Sequence, residues 1–202
     1  QMNTHSMTTK APLPRIKDKR QAILSAALKV FAEGGVNGVP MPALAEQAQV
    51  GTGTIYRYFS SKEALVNELF REQRQFKRDL LFEGLDHSLS AHQQFAVVWQ
   101  RMIRYSREHP DTYRFLEMQD HRPYLDEQSL KLEQTFFAPL VAQYRLYQQQ
   151  GVYRSDLRAE VLLAMDWGTF ANLVKCEREG LLVLQSQDLE AACETCWSML
   201  IG

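Results

Sequence analysis

The chain has 202 residues, enough for one large domain or for a small one joined to a larger one. Its 45% hydrophobic and 23% charged residues argue against disorder. No run approaches the roughly 18 apolar residues that cross a bilayer. Cys176, Cys193 and Cys196 are too few for a disulfide scaffold. The net charge of −1 conceals an asymmetry, with +5 over residues 1–62 and −6 over the rest, so a polyanionic partner is expected for the head alone.

Residues 1–14 are polar and lack the apolar centre of a secretory leader, so a disordered arm and a cytoplasmic protein are expected. Gln1 is no initiator, and Met2 and Met7 are each able to start the chain. The segments that follow are rich in Ala, Leu, Glu, Gln and Arg and lack strand-like alternation, which predicts an all-α protein of about nine helices. The first helix is expected from Ile16 to Glu33, with Ile23, Ala26, Ala27, Val30 and Phe31 as one apolar stripe and Gly34-Gly35 as its stop. A short helix follows to Gln49, then the turn Val50-Gly51-Thr52 and a second short helix through Phe59. Ser60 or Ser61 caps a fourth helix from Lys62 to about Glu83, with Leu65, Leu69, Phe76 and Leu80 on its inner side.

Five more helices are expected. Ser90 and Gln93 form a capping box for one that ends near His109, and Pro110 opens a short one to about Gln119. A long helix from Asp126 to Gln150 should kink at Pro139. Leu157–Glu179 and Asp188–Ile201 complete the set.

Two short helices joined by a tight turn, braced by a longer one, form a helix-turn-helix. Thr54, Tyr56, Arg57 and Tyr58 on its second helix suit a DNA groove. Hydroxyls and a helix N-terminus hold phosphates, and Arg57 can bond the O6 and N7 of guanine. A packed helical hairpin with an aromatic cap reads the same residues without DNA.

Residues 20–66 resemble the N-terminal domain of TetR-family repressors. The resemblance rests on Gln21-Ala22-Ile23-Leu24-x-Ala26-Ala27-x-x-Val30-Phe31-x-x-Gly34, then Leu44-Ala45-x-x-Ala48-x-Val50, then Gly53-Thr54-Ile55-Tyr56-x-Tyr58-Phe59-x-Ser61-Lys62-Glu63-x-Leu65. It implies phosphate contacts from Tyr56 and Lys62. Thr52, Gly53, Thr54 and Arg57 would meet bases or adjacent phosphates, and Tyr58 would lie near the DNA backbone. Ile55 and Phe59 would pack inward. It also implies a homodimer through the last two helices. The chain departs from the family at Val39-Pro40-Met41-Pro42, where a phosphate-donating hydroxyl is usual, and at Gly51, where a Ser cap is common. Lys10, Arg15 and Lys17 either compensate from the arm or form a solvated tail.

The domain division expected is a helix-turn-helix over 15–60 and a ligand-binding and dimerisation domain over 61–202. Aromatic and sulfur side chains crowd the second part, either as ordinary core or as the lining of an apolar cavity. Phe70, Trp99, Met102, Phe115, Phe137 and Phe170 are the candidate lining. Asp166, inside the apolar run Val161 to Val174, is either a satisfied buried carboxylate or a partner for a cationic or hydroxyl-bearing ligand. Leu189, Cys193, Cys196 and Leu200 form a last-helix stripe expected to face a second subunit.

Cys193-x-x-Cys196 is half of a zinc site without a second pair nearby, so neither metal nor cofactor is expected, and thiol oxidation stands as the alternative. The five histidines form no HExxH, and no phosphate loop or nucleophile elbow occurs, so no enzyme is expected. The reading is a repressor released from a pseudo-palindromic operator by a small, largely apolar effector, with no membrane partner. The rivals are an activator, a regulator that needs a co-repressor, and a helical or redox sensor that binds no DNA.

Overall fold

The computed structural model describes residues 16–202, with side chains from Lys19 onward. The arm expected over residues 1–14 lies outside the described residues, as do Lys10, Arg15 and the Lys17 side chain.

Nine α-helices and one 3-10 turn make up the regular structure of the described residues, and no strand occurs among them. They are α1 (Ile16–Gly38), α2 (Met41–Gln47), α3 (Thr52–Tyr58), α4 (Lys62–Phe82) and α5 (Ala91–Glu108). After them come α6 (Pro110–Glu117), the 3-10 turn Arg122–Tyr124, α7 (Glu127–Gln149), α8 (Ala159–Arg178) and α9 (Ser186–Ile201). None of these helices is long and apolar enough to cross a membrane.

The double glycine acts where it was expected. Gly35 leaves helical geometry at φ 69° and ψ 162°, which only a residue without Cβ adopts freely, and one further turn runs to Gly38. Between α2 and α3, Val50 N–H bonds Ala45 O at 2.9 Å and Gln49 N–H bonds Glu46 O at 3.0 Å. Gln49 takes φ 54° to close this reversal, the bond pattern of a Schellman turn. Ile23, Leu24, Ala27, Phe31, Leu44 and Ile55 are fully buried and fuse α1, α2 and α3 into one core. The same cluster takes in Leu65, Val66, Leu69 and Phe70 of α4 and Phe115 and Leu116 of α6.

Helix α4 corrects the sequence reading in its second half. Ser61 caps it, accepting from Ala64 N–H at 3.1 Å. Leu65 and Leu69 face inward, but the row continues as Gln73, Lys77 and Leu81, while Phe76 is exposed and Leu80 half-buried. Buried polar groups are tolerated when they are paired. Here Thr112 Oγ1 donates to Gln73 at 2.8 Å, Lys77 pairs with Glu117 at 2.8 Å and Arg74 pairs with Glu133 at 3.0 Å. Phe76 instead rests edge-on against His109.

The capping box of Ser90 and Gln93 starts α5 as expected, and α7 runs through Pro139 without interruption. The last-helix stripe is a second correction. Leu189, Cys193, Cys196 and Leu200 are all buried against the chain's own core. Cys193 and Cys196 pack with Trp99, Phe170 and Val174, and Leu200 packs with Tyr144, Tyr153 and Leu162. The row expected to face a second subunit thus packs against α5 and α8 of its own chain.

Candidate functional site

Helix α3 presents two faces. Ile55 is fully buried and Phe59, its C-cap, is 2% exposed, so both hold the helix to its neighbours. Gly53, Tyr56 and Arg57 are exposed, with Thr52, Thr54 and Tyr58 half-buried beside them. The residues singled out for DNA contact therefore share one accessible surface. Lys62 has a further task, donating to Val39 O at 2.5 Å and so fixing the loop before α2. Its ammonium keeps two more N–H donors. Pro40 and Pro42 fit the start of α2: Pro40 is the N-cap, and its carbonyl accepts from Ala43 and Leu44 N–H at 3.1 and 3.2 Å.

The first core is joined to the rest of the chain at a few named points. Gln119 donates to the carbonyls of Phe31 and Ala32 at the end of α1. Asn67 donates to Tyr124 O at 2.7 Å and accepts from Asp126 N–H at 2.8 Å. Arg20 and Glu68 pair across α1 and α4. Helix α4 thus begins beside α3 and ends elsewhere.

It ends in the wall of a cavity of about 360 Å³ enclosed by α4, α5, α7 and α8. Trp99, Met102, Phe137 and Asp166 line it, as expected. Phe70 and Phe115 do not: both belong to the first core. Phe170 lies one layer back, its ring 5.3 Å edge-on from that of Trp99. Apolar side chains of similar size are interchangeable in sequence, and only the path of the helices decides which ones meet a void. Phe136, Tyr144 and Trp167, from the aromatic set crowding this part of the chain, also line the cavity, as do Lys77 and Tyr153, which the sequence reading did not single out. Lys77 was legible only as the i+12 continuation of the Leu65–Leu69 row.

Exposed Arg78, His87, Thr135 and Gln143 lie at the cavity's mouth. Deeper, Trp99 donates its indole N–H to Leu189 O at 3.2 Å. Tyr144 donates to Asp166 Oδ2 at 2.7 Å, but Asp166 Oδ1 is closed off from solvent with no hydrogen-bond partner. Burial raises the Asp166 carboxyl to about 6 although the Tyr144 bond opposes it. Lys77 is lowered to about 8, mainly by burial, with Glu117 pulling the other way. Burial also pushes the thiols of Cys193 and Cys196 up to about 12 and about 11, which leaves little thiolate for redox chemistry. No cluster of metal-ligating side chains occurs among the described residues.

The family model for bacterial regulatory proteins of the tetR family matches residues 23–69. The model for the tetracyclin repressor-like C-terminal domain matches residues 69–201. The chain is 29% identical over 100 residues to YhgD of Bacillus subtilis, an uncharacterized HTH-type transcriptional regulator, covering 50% of this chain and 52% of that one. It thus spans about half the length of that curated relative. It is 27% identical over 165 residues to the probable acrEF/envCD operon repressor of Escherichia coli, covering 77% of this chain and 74% of that one. Among solved structures, a TetR-family transcriptional regulator from Vibrio parahaemolyticus superposes with a TM-score of 0.75 at 26% identity, covering 92% of this chain and 100% of that one.

Proposed function

The chain belongs to the TetR family of bacterial regulatory proteins, and from that premise we propose that it is a homodimeric repressor which a small, largely apolar effector releases from DNA. One observation carries the proposal. A single helix, α4, starts at Lys62 beside the exposed face of α3 and places Lys77 and Leu81 in the cavity wall. Whatever changes the packing of the cavity moves the support of the reading helix. The effector favours a conformation in which the two heads no longer match the half-sites, a population shift.

In this reading Arg57 contacts bases, Thr52, Gly53 and Thr54 meet bases or phosphates, and Tyr56, Tyr58 and Lys62 hold the backbone of the duplex. The working compartment is the cytoplasm. Half-sites lie about one helical turn, roughly 34–36 Å, apart. The partner surface is the outer side of α8 and α9, where Ala164, Met165, Gly168, Thr169, Ala191, Thr195 and Ser198 are exposed and uncharged. The effector stacks on Trp99 and offers a positive charge or an N–H or O–H donor to the unpartnered oxygen of Asp166.

The test is binding of the purified protein to DNA flanking its own coding region, across a salt series. Specific binding that weakens steeply with salt is expected. Arg57→Ala should weaken it by about 1–3 kcal/mol and relax preference at one base pair per half-site. Equal affinity of wild type and Arg57→Ala for that fragment and for random DNA would remove Arg57 from base reading.

A further inference from the structure

Lys77 is a buried cation that the reading above leaves unused. It is 1% exposed, lines the cavity, and holds its Nζ 3.9 Å from the ring centre of Trp167. An ammonium has three N–H donors. Among the described residues Glu117 is the one acceptor bonded to it, at 2.8 Å, and the rings of Tyr105, Phe136 and Trp167 stand around the rest. Aromatic faces favour the charge but give an N–H no lone pair. A donor in the wall of a cavity can therefore serve an acceptor inside it.

Glu117 connects this wall to the head. It is the last residue of α6, whose Phe115 and Leu116 lie in the first core. Two residues further on, Gln119 holds the carbonyls of Phe31 and Ala32 in α1. One ion pair thus ties the cavity wall on α4 to the helix that braces α1.

We propose that Lys77 is a second polar anchor for the effector, donating one of its remaining N–H groups to a carbonyl oxygen, and that the ammonium, drawn toward the cavity, pulls on the Lys77–Glu117 pair holding α6 against α4. The proposal rests on the effector reading given above. Asp166 and Trp167 are consecutive on α8, so one helix sets both the acceptor for the ligand's donor and the ring beneath its second anchor. The ligand class narrows to an aromatic molecule with an ammonium or N–H group and a carbonyl, of which an amino-acid arylamide is an example. A buried carboxylate stays with its cation, because leaving it unpaired is strongly disfavoured. Glu117, whose other partner is the Tyr105 hydroxyl at 3.3 Å, follows the ammonium and carries α6 with it. That shift passes to α1 through Phe115, Leu116 and Gln119.

The experiment compares two probes by calorimetry on the full chain: glycine 2-naphthylamide, with ammonium and carbonyl, and 2-(aminomethyl)naphthalene, with ammonium alone. Wild type should bind the amide about tenfold more tightly, the effect of one hydrogen bond to a charged group. K77M should abolish that difference while still binding the amine. The double variant K77M/E117Q removes both charges together and serves where K77M does not fold. E117Q frees the ammonium, so it should widen the amide's advantage and weaken DNA binding without any ligand. D166N should weaken both probes alike. An amide advantage that survives in K77M/E117Q, or its absence in a wild type that binds both probes, overturns the second anchor and leaves the effector cavity standing. Failure of wild type to bind either probe overturns the cavity reading and this proposal with it.

Discussion

The two halves of the molecule bury different things. Around α1, α2 and α3 the fully buried side chains are aliphatic or aromatic, and no buried polar residue precedes Asn67 among those described. Around α4 to α8, Arg74, Lys77 and the Glu117 side chain lie inside, Asp166 keeps an unpartnered oxygen, and a void of about 360 Å³ remains. An apolar core packed to solid density has few alternative arrangements. Charges paired across helices have discrete ones, because each can change partner. In the proposed function, the head would hold one shape for DNA, and the other half would exchange one shape for another.

The largest expected effect tests this contrast directly. Phe31 is fully buried in the head, so Phe31→Ala should cost about 3–5 kcal/mol of stability and abolish DNA binding. Phe137 is 37% exposed at the cavity, so Phe137→Ala only enlarges a space already present and should cost within about 1 kcal/mol. Denaturant unfolding of both variants gives the two values. Equal losses would mean that the cavity wall is ordinary core.

The contrast also explains what the sequence made legible. In the head, apolar periodicity, the double glycine and the family motif agreed, and helix bounds and inward residues such as Ile55 and Phe59 followed from them. In the sensor half the helices were equally readable, but their faces were not. Phe76 looked like core and is exposed, whereas Lys77, which no apolar pattern marks, is buried, because Glu117 lies 40 residues away and only the fold brings the two together. Phe70 and Phe115 were assigned to the cavity on residue type, yet α4 and α6 carry them into the head's core. The stripe of Leu189, Cys193, Cys196 and Leu200 was correctly apolar, but one chain has no way to say whether such a row meets itself or a partner.

A smaller effect isolates the sensor's uncompensated charge. Asp166 titrates at about 6 in the fold, above its ordinary value of 3.8, so its contribution is fully present below about pH 4 and is lost as pH rises through about 6. Asp166→Asn should therefore gain about 1–2 kcal/mol over wild type at pH 7, discounted for partial exposure, and nothing at pH 4. The neighbouring groups stay silent in that window. Tyr144 of α7 and Tyr153 of the following loop are raised well above their usual range, the thiols of Cys193 and Cys196 in α9 titrate at about 12 and about 11, and Lys77 across the cavity titrates at about 8. The absence of any gain at pH 7 would mean that Asp166 is already neutral or already paired there.

The smallest effect lies in the head's one strained turn. Gln49 holds φ 54° between α2 and α3, a conformation that costs a residue with Cβ about 1–2 kcal/mol. Its side chain is exposed, and the bonds that close the turn run from the main chain of Gln49 and Val50. Gln49→Gly removes the strain and keeps both bonds, but it also frees the unfolded chain, so the net gain should be only about 0.5–1 kcal/mol. In the sensor half the corresponding turn after α7 already carries Gly151 at φ 71°, and the reverse change there, Gly151→Ala, should lose a similar amount. Thermal melting of both variants at one fixed protein concentration reads the pair, since the midpoint of any chain that associates depends on concentration. A Gln49→Gly variant that melts below wild type would show that the Gln49 side chain itself helps to hold α3 at its angle.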